Sequence, residues 1–221
     1  MKIDAVVLDM DGLMLDTEPL YKLAWQRASA DLGYDLDDGS YAKLVGRPTD
    51  DCERALVTQF GSEFPLETFR MRWPELWKVG VADAGIDVKP GLVELLAFLA
   101  QEGVPVAVAT SSEAEHTEFS LRKAGLAGRF AAVVTGDEVV RGKPAPDIYL
   151  EAARRLRAEP AQCVALEDSE AGILAASAAG MVALLIPDWT SPSEIATRAA
   201  FRVLPSLTEA RNVLADLLTG V

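Results

Sequence analysis

The sequence predicts an α/β fold, a doubly wound parallel sheet interrupted after its first strand by an all-helical insertion. Three observations carry this expectation. The chain opens on a continuous apolar, β-branched run, Ile3 to Asp9, of the kind a strand buried on both faces requires. From about residue 85 onward, short apolar runs alternate with glycine-terminated helical segments, the pattern of a parallel sheet covered by helices on both faces. Between residues 17 and 84 only helical signals occur.

In order, Gly12 follows the first strand and permits a tight turn. Asp16-Thr17-Glu18-Pro19 is a helix start, with Asp16 or Thr17 as cap and proline in the first turn, and Gly33 ends that helix near Leu32. Asp37-Asp38 opens a short helix ending at Gly46, and Thr49-Asp50-Asp51 caps another ending at Gly61. The segment from Pro65 to Val81 carries Phe69, Trp73, Leu76 and Trp77; Pro74 inside it predicts two helices or a kink. Pro90-Gly91 then opens a helix closed by Gly103, followed by a strand from Val104 to Thr110 and a helix from Glu113 to Ala124. Strands are predicted at Ala131–Thr135, Gln162–Leu166, Val182–Ile186 and Phe201–Leu204, with helices at Pro146–Leu156, Ala171–Ala179 and Leu207–Leu218. The chain therefore divides into a Rossmann-like α/β core, residues 1–16 and 85–221, and a helical domain, residues 17–84.

Composition narrows the function. The 221 residues include 34 acidic and 21 basic side chains, a formal charge of −13, which disfavours nucleic acid and anionic membranes as partners but leaves room for a locally cationic site that takes a small anion. No apolar stretch is long enough for a membrane span, the N-terminus lacks a leader pattern, and Cys52 and Cys163 follow no metal-binding spacing. These features predict a soluble, reduced, cytoplasmic protein, a monomer or weak homo-oligomer.

Chemistry-bearing residues cluster at strand ends. The first strand ends in Asp9-Met10-Asp11-Gly12, the second in Thr110-Ser111-Ser112, and the fourth in Glu167-Asp168-Ser169, while Arg141-Gly142-Lys143-Pro144 follows the third. In open α/β sheets the carboxyl ends of the strands form the ligand site. Two acidic pairs there call for a hard divalent cation, and an all-oxygen donor set suits Mg2+. A lysine, hydroxyls and backbone N–H groups beside them suit a phosphate. An aspartate can serve as nucleophile toward a phosphoryl group, and a second carboxyl two residues on can move the proton.

Asp9-Met10-Asp11-Gly12, Val108-Ala109-Thr110-Ser111-Ser112, Gly142-Lys143-Pro144-Ala145-Pro146-Asp147 and Leu166-Glu167-Asp168-Ser169 resemble, in order, the four motifs of the haloacid dehalogenase (HAD) superfamily. The helical insertion after strand one is similar to that superfamily's first-position cap domain. The resemblance implies a Mg2+-dependent phosphatase that hydrolyses a small phosphorylated metabolite, of sugar-phosphate or phosphoglycolate type, through an aspartyl-phosphate. It implies Asp9 as nucleophile and Asp11 as general acid/base, with Thr110 and Lys143 completing the catalytic set. Met10, Thr110, Ser111 and Lys143 would bind phosphate, and Asp9, Asp11, Glu167 and Asp168 would bind Mg2+.

The alternative within the resemblance is a β-phosphoglucomutase-like phosphosugar mutase. Those mutases carry a histidine early in the first cap helix, where this chain has Tyr21, and the arginine here directly follows the cap glycine, in Gly46-Arg47. Both departures favour the phosphatase. Arg47 and Tyr21 are the substrate candidates on the cap. A calcium loop is excluded at Asp9 because Gly12 comes too early and Leu13 occupies a ligand position. A receiver-type signalling module would need Asp137 as its phosphorylated residue and leaves the helical insertion unexplained. Thr110 is expected to be free for ligand, with Ser111 or Ser112 capping the next helix. His116, the one histidine, reads as a surface residue, and Trp25, Trp73 and Trp77 as helical core.

Overall fold

Six parallel strands form one sheet in the order β3-β2-β1-β4-β5-β6. They are β1 (Ala5–Leu8), β2 (Val106–Ala109), β3 (Ala132–Val134), β4 (Cys163–Glu167), β5 (Val182–Leu185) and β6 (Arg202–Val203). The structure is a computed structural model that describes residues 2–45 and 49–219, with backbone only at 49 and 50. The chain forms two compact units, Met1–Asp16 with Asp87–Val221, and Thr17–Ile86.

In the first unit β1 is central, pairing through Val7 with Ala107 of β2 on one side and Ala165 of β4 on the other. The strand order reverses direction between β1 and β4, the place where open α/β sheets bind ligands. Helices α5 (Leu92–Gln101), α6 (Ala114–Lys123), α7 (Asp147–Leu156), α8 (Glu170–Ala178), α9 (Glu194–Ala199) and α10 (Leu207–Thr219) belong to this unit. One sheet face is built from small residues: Ala5, Ala107, Ala109, Ala165 and Ala183 pack with Ile148, Tyr149 and Ala152 of α7 and with Ile173 and Ala176 of α8. Short side chains let these helices approach the strands closely. The alternate positions Val6, Leu8, Val108, Val164 and Leu166 are also buried, so both faces are covered, as the unbroken apolar strands predict.

The chain leaves and re-enters this unit on a short antiparallel ribbon. Asp16 N donates to Asp87 O at 2.9 Å, Lys89 N donates to Met14 O at 2.9 Å, and Leu15 bridges Val88.

The second unit contains α1 (Glu18–Asp31), α2 (Asp38–Ala42), α3 (Thr49–Phe60) and α4 (Leu66–Ala84). Trp25, Tyr41, Leu56, Phe64 and Phe69 form its core, with Trp25 and Phe69 edge-to-face at 5.1 Å. Of the two outcomes open at Pro74, the division into two helices does not occur: α4 runs continuously through it for 19 residues. A proline removes one backbone donor, and packing of Phe69, Trp77 and Val81 outweighs that loss. The short helix α9 was not foreseen, although Ser193 caps it by accepting from Ala196 N at 3.0 Å. No helix among the described residues is long and apolar enough to cross a membrane.

Candidate active site

The site grows from the end of β1. Asp9 N donates to Leu166 O at 3.1 Å, which extends the β1–β4 pairing one residue past the strand and fixes the Asp9 backbone. Met14 N and Leu15 N both donate to Met10 O at 3.0 Å, folding the following residues into a tight loop. Gly12 takes a φ of 82°, a left-handed conformation that suits glycine.

Lys143, in the loop between β3 and α7, reaches back to this point. Its Nζ lies 2.5 Å from Asp9 Oδ1, 2.5 Å from Glu167 Oε1 and 3.0 Å from Ala109 O, so all three ammonium protons have acceptors. Burial opposes the charge on this ammonium, but Asp9 and Glu167 outweigh burial and raise its pKa. The Asp9 carboxyl is pushed from its ordinary 3.8 to about 8, first by burial, with Lys143 opposing and Glu167 and Asp11 reinforcing. Asp168 is raised well above the carboxylate range by burial and then by Asp9 and Glu167.

Glu167 is fully buried and its carboxylate is saturated with donors. Oε1 accepts from Lys143 and from the Tyr149 hydroxyl at 2.6 Å; Oε2 accepts from Asp168 N at 3.1 Å, Ser169 N at 3.2 Å and Ser169 Oγ at 3.0 Å. Ser169 also caps α8 by accepting from Gly172 N. A Cβ on Gly172 would run into the Glu167 carboxylate, so glycine is what lets the first turn of α8 lie against this acid. Tyr149 and Gly172 were not legible as site residues. Tyr149 follows Lys143 by six residues, and only the tertiary fold brings its hydroxyl to β4.

The second acid is held separately. Ser112 Oγ donates to Asp11 Oδ2 at 2.9 Å, and Asp11 Oδ1 is buried with no hydrogen-bond partner. Ser112 therefore does not cap α6 as expected; Asp137 does, accepting from Ala114 N at 3.1 Å. This gives Asp137 a structural task in an exposed turn. Thr110 is not wholly free either. Its Oγ1 accepts Ser112 N at 3.1 Å, which leaves its hydroxyl proton to donate.

Asp9, Thr110, Lys143, Glu167 and Asp168 thus meet at the carboxyl ends of β1, β2 and β4, and Asp11 joins them through Ser112. Met10 is buried beside Asp9. Ser111 is exposed, with its carbonyl against Gly136. Tyr21 lies in the helical unit, stacked on Trp77 at 5.6 Å and edge-to-face with Trp73 at 6.0 Å. Gly46 and Arg47 lie outside the described residues.

The donor set fits a hard divalent cation. One oxygen each from Asp9, Glu167 and Asp168 lie within 4.8 Å of one another, the one such group among the described residues. Every donor is a carboxylate oxygen, and the partnerless Asp11 Oδ1 lies in the same loop.

Comparison with known proteins places the chain in a family. A family model described as haloacid dehalogenase-like hydrolase matches residues 3–180. The chain is 34% identical over 179 residues to a phosphorylated carbohydrates phosphatase of Thermotoga maritima, covering 81% of this chain and 82% of that protein. It is 31% identical to the β-phosphoglucomutase of Bacillus subtilis, with 81% of each covered. The crystal structure of CbbY from Rhodobacter sphaeroides in complex with phosphate superposes with a TM-score of 0.78 at 30% identity, over 94% of this chain and 96% of that one. The chain is a hydrolase that belongs to the haloacid dehalogenase-like family.

Proposed function

We propose that this protein is a Mg2+-dependent phosphatase that hydrolyses a small phosphorylated metabolite, a sugar phosphate or phosphoglycolate, through an aspartyl-phosphate on Asp9. One observation carries the reading: three carboxylates, Asp9, Glu167 and Asp168, converge on one point while a single buried ammonium, Lys143, bonds two of them. Such crowding of like charge suits a cation and an anionic group bound together. The phosphatase and mutase named among its relatives support a phosphorylated carbohydrate as the substrate class.

In this mechanism Asp9 attacks phosphorus, and the ester oxygen departs with a proton from Asp11. Asp11 then takes a proton from water, whose oxygen attacks the aspartyl-phosphate and releases phosphate and a free Asp9 carboxylate. Ser112 holds Asp11 in orientation for both transfers. Lys143 fixes the rotation of the Asp9 carboxylate and offsets charge on the phosphoryl group, which Thr110, Ser111 and the Met10 backbone also bind. Asp9, Asp168 and Asp11 would hold Mg2+, with Glu167 contributing charge and anchoring Lys143. The ion supplies positive charge that keeps Asp9 ionised and balances the transferring phosphoryl oxygens. The α/β unit carries the chemistry, and the helical unit acts as the cap that selects substrate, with Tyr21 and Arg47 its candidate recognition residues.

A panel of hexose phosphates, phosphoglycolate and nucleotides, assayed for phosphate release in Mg2+, tests the reading. Release is expected from at least one small ester and is lost in Asp9→Asn and with chelator. Turnover that survives either treatment refutes it. The mutase alternative rests on the β-phosphoglucomutase relative and predicts isomerisation, stimulated by a sugar bisphosphate, with little net phosphate release.

A further inference from the structure

Asp188 lies just beyond β5, at the same sheet edge as the acidic cluster. Its Oδ1 accepts from Lys89 Nζ at 2.5 Å, and the same ammonium reaches Asp16 Oδ1 at 3.2 Å. Lys89 sits on the ribbon where the chain re-enters the α/β unit, so its side chain ties that ribbon to the loop after β5. The Asp188 side chain is 15% exposed and Lys89 20%, which marks a sheltered pair rather than a solvated one.

The second oxygen of Asp188 is turned the other way. A Cβ on Gly12 would lie 3.5 Å from Asp188 Oδ2 and 3.0 Å from Asp168 Cγ, and would collide with Asp168 Oδ2. Asp168 and Asp188 therefore flank the same bare stretch of backbone.

We propose that Asp188 is a positioning residue for the Mg2+ site, an outer carboxylate, oriented by Lys89, that strengthens cation binding at Asp168 without touching the cation. The proposal rests on the Mg2+-dependent reading above. Its physical basis is charge placement. Lys89 occupies Oδ1 and keeps the carboxylate from rotating into solvent, so the negative charge stays beside Asp168, where no side chain at Gly12 separates them. Partners of metal ligands commonly tune metal affinity by about 10–100-fold.

Calorimetric titration of MgCl2 into wild-type, Asp188→Asn and Asp16→Asn proteins at one pH tests this, with unfolding temperatures measured in parallel. The Mg2+ dissociation constant is expected to rise about tenfold in Asp188→Asn and to stay within about twofold of wild type in Asp16→Asn. A simple structural ion pair would lower the unfolding temperature of Asp188→Asn and leave its Mg2+ affinity unchanged, which overturns the proposal. Equal weakening in Asp16→Asn overturns it too, because remote charge alone would then explain the effect. If Asp188→Asn fails to fold, Asp188→Ser carries the same comparison. No Mg2+ binding by the wild type refutes the Mg2+-dependent reading itself; wild-type binding matched by Asp188→Asn refutes only the role of Asp188.

Discussion

The Tyr149 hydroxyl donates a 2.6 Å hydrogen bond to Glu167, at an oxygen that also receives the Lys143 ammonium. The Lys143 Nζ lies 5.3 Å from the centre of the Tyr149 ring, so one side chain supports both members of the buried pair. Tyr149→Phe keeps the ring and removes the donor. Loss of a hydrogen bond to a buried charge is expected to destabilise the protein by about 1.5–3 kcal/mol, read by chemical denaturation. An unchanged midpoint would show that this bond contributes nothing.

Removing Lys143 is expected to be more severe. Lys143→Met leaves the buried Glu167 carboxylate without its cation and Asp9 without its hydrogen-bond donor, a loss of about 3–5 kcal/mol in chelator. Mg2+ should restore part of that stability by replacing the missing positive charge, while phosphatase activity stays abolished. Equal stability of the variant and wild type in chelator would contradict the arrangement.

Asp9 makes the metal-free protein sensitive to pH. Its carboxyl is raised from 3.8 to about 8, so the folded state retains a proton that the unfolded chain has released. That contribution is fully present below about pH 4 and is lost as pH rises through about 8. In chelator, wild-type unfolding temperature should fall relative to Asp9→Asn as pH rises towards about 8, because the amide has no proton to lose. The stabilisation given by Mg2+ should grow over the same interval, since the ion binds the ionised carboxylate. Parallel curves for the two proteins would exclude this titration.

Ser112 is expected to act on rate rather than binding. Its hydroxyl donates to Asp11 Oδ2, so Ser112→Ala frees the proposed general acid, Asp11, to rotate. A loss of about tenfold in kcat with little change in KM is expected, and Ser112→Thr, which keeps the hydroxyl, should recover most of it. A change confined to KM would instead give Ser112 a part in holding substrate.

Gly172→Ala tests the closeness of α8 to the site. The added methyl meets the Glu167 carboxylate, and overpacking of this kind destabilises by about 1–3 kcal/mol. The displaced Glu167 should also loosen Lys143, so activity falls further than stability. Wild-type stability and rate in this variant would show that the helix yields freely.

The strands and most helices were legible in sequence because each carries its own local signal: Val6-Val7-Leu8 has nowhere to go but a buried strand, and Gly33, Gly61, Gly103 and Gly125 each follow a helix at positive φ. The acids were legible because they sit at strand ends. Helix α9 escaped notice because its six residues hold too few apolar positions to show a period, leaving Ser193 as its one clear mark. At Pro74 the sequence left two helices or a kink open, because the choice is decided by packing that the sequence does not display. Tyr149, Lys89 and Asp188 were invisible for a common reason. Each acts on a residue brought near only by the sheet order, as when Lys89 meets Asp188 across 99 positions of chain.

The central place of β1 has a consequence for how the protein is made. Asp9 is synthesised well before its strand neighbours β2 and β4 and its cation Lys143. Until β4 is synthesised, Asp9 belongs to a strand with at least one edge open. A nascent chain stalled short of that point carries an exposed apolar β1 and no working site, which makes it a natural client for chaperones and a poor candidate for partial activity. The first piece of chemistry written into this chain is also among the last to become usable.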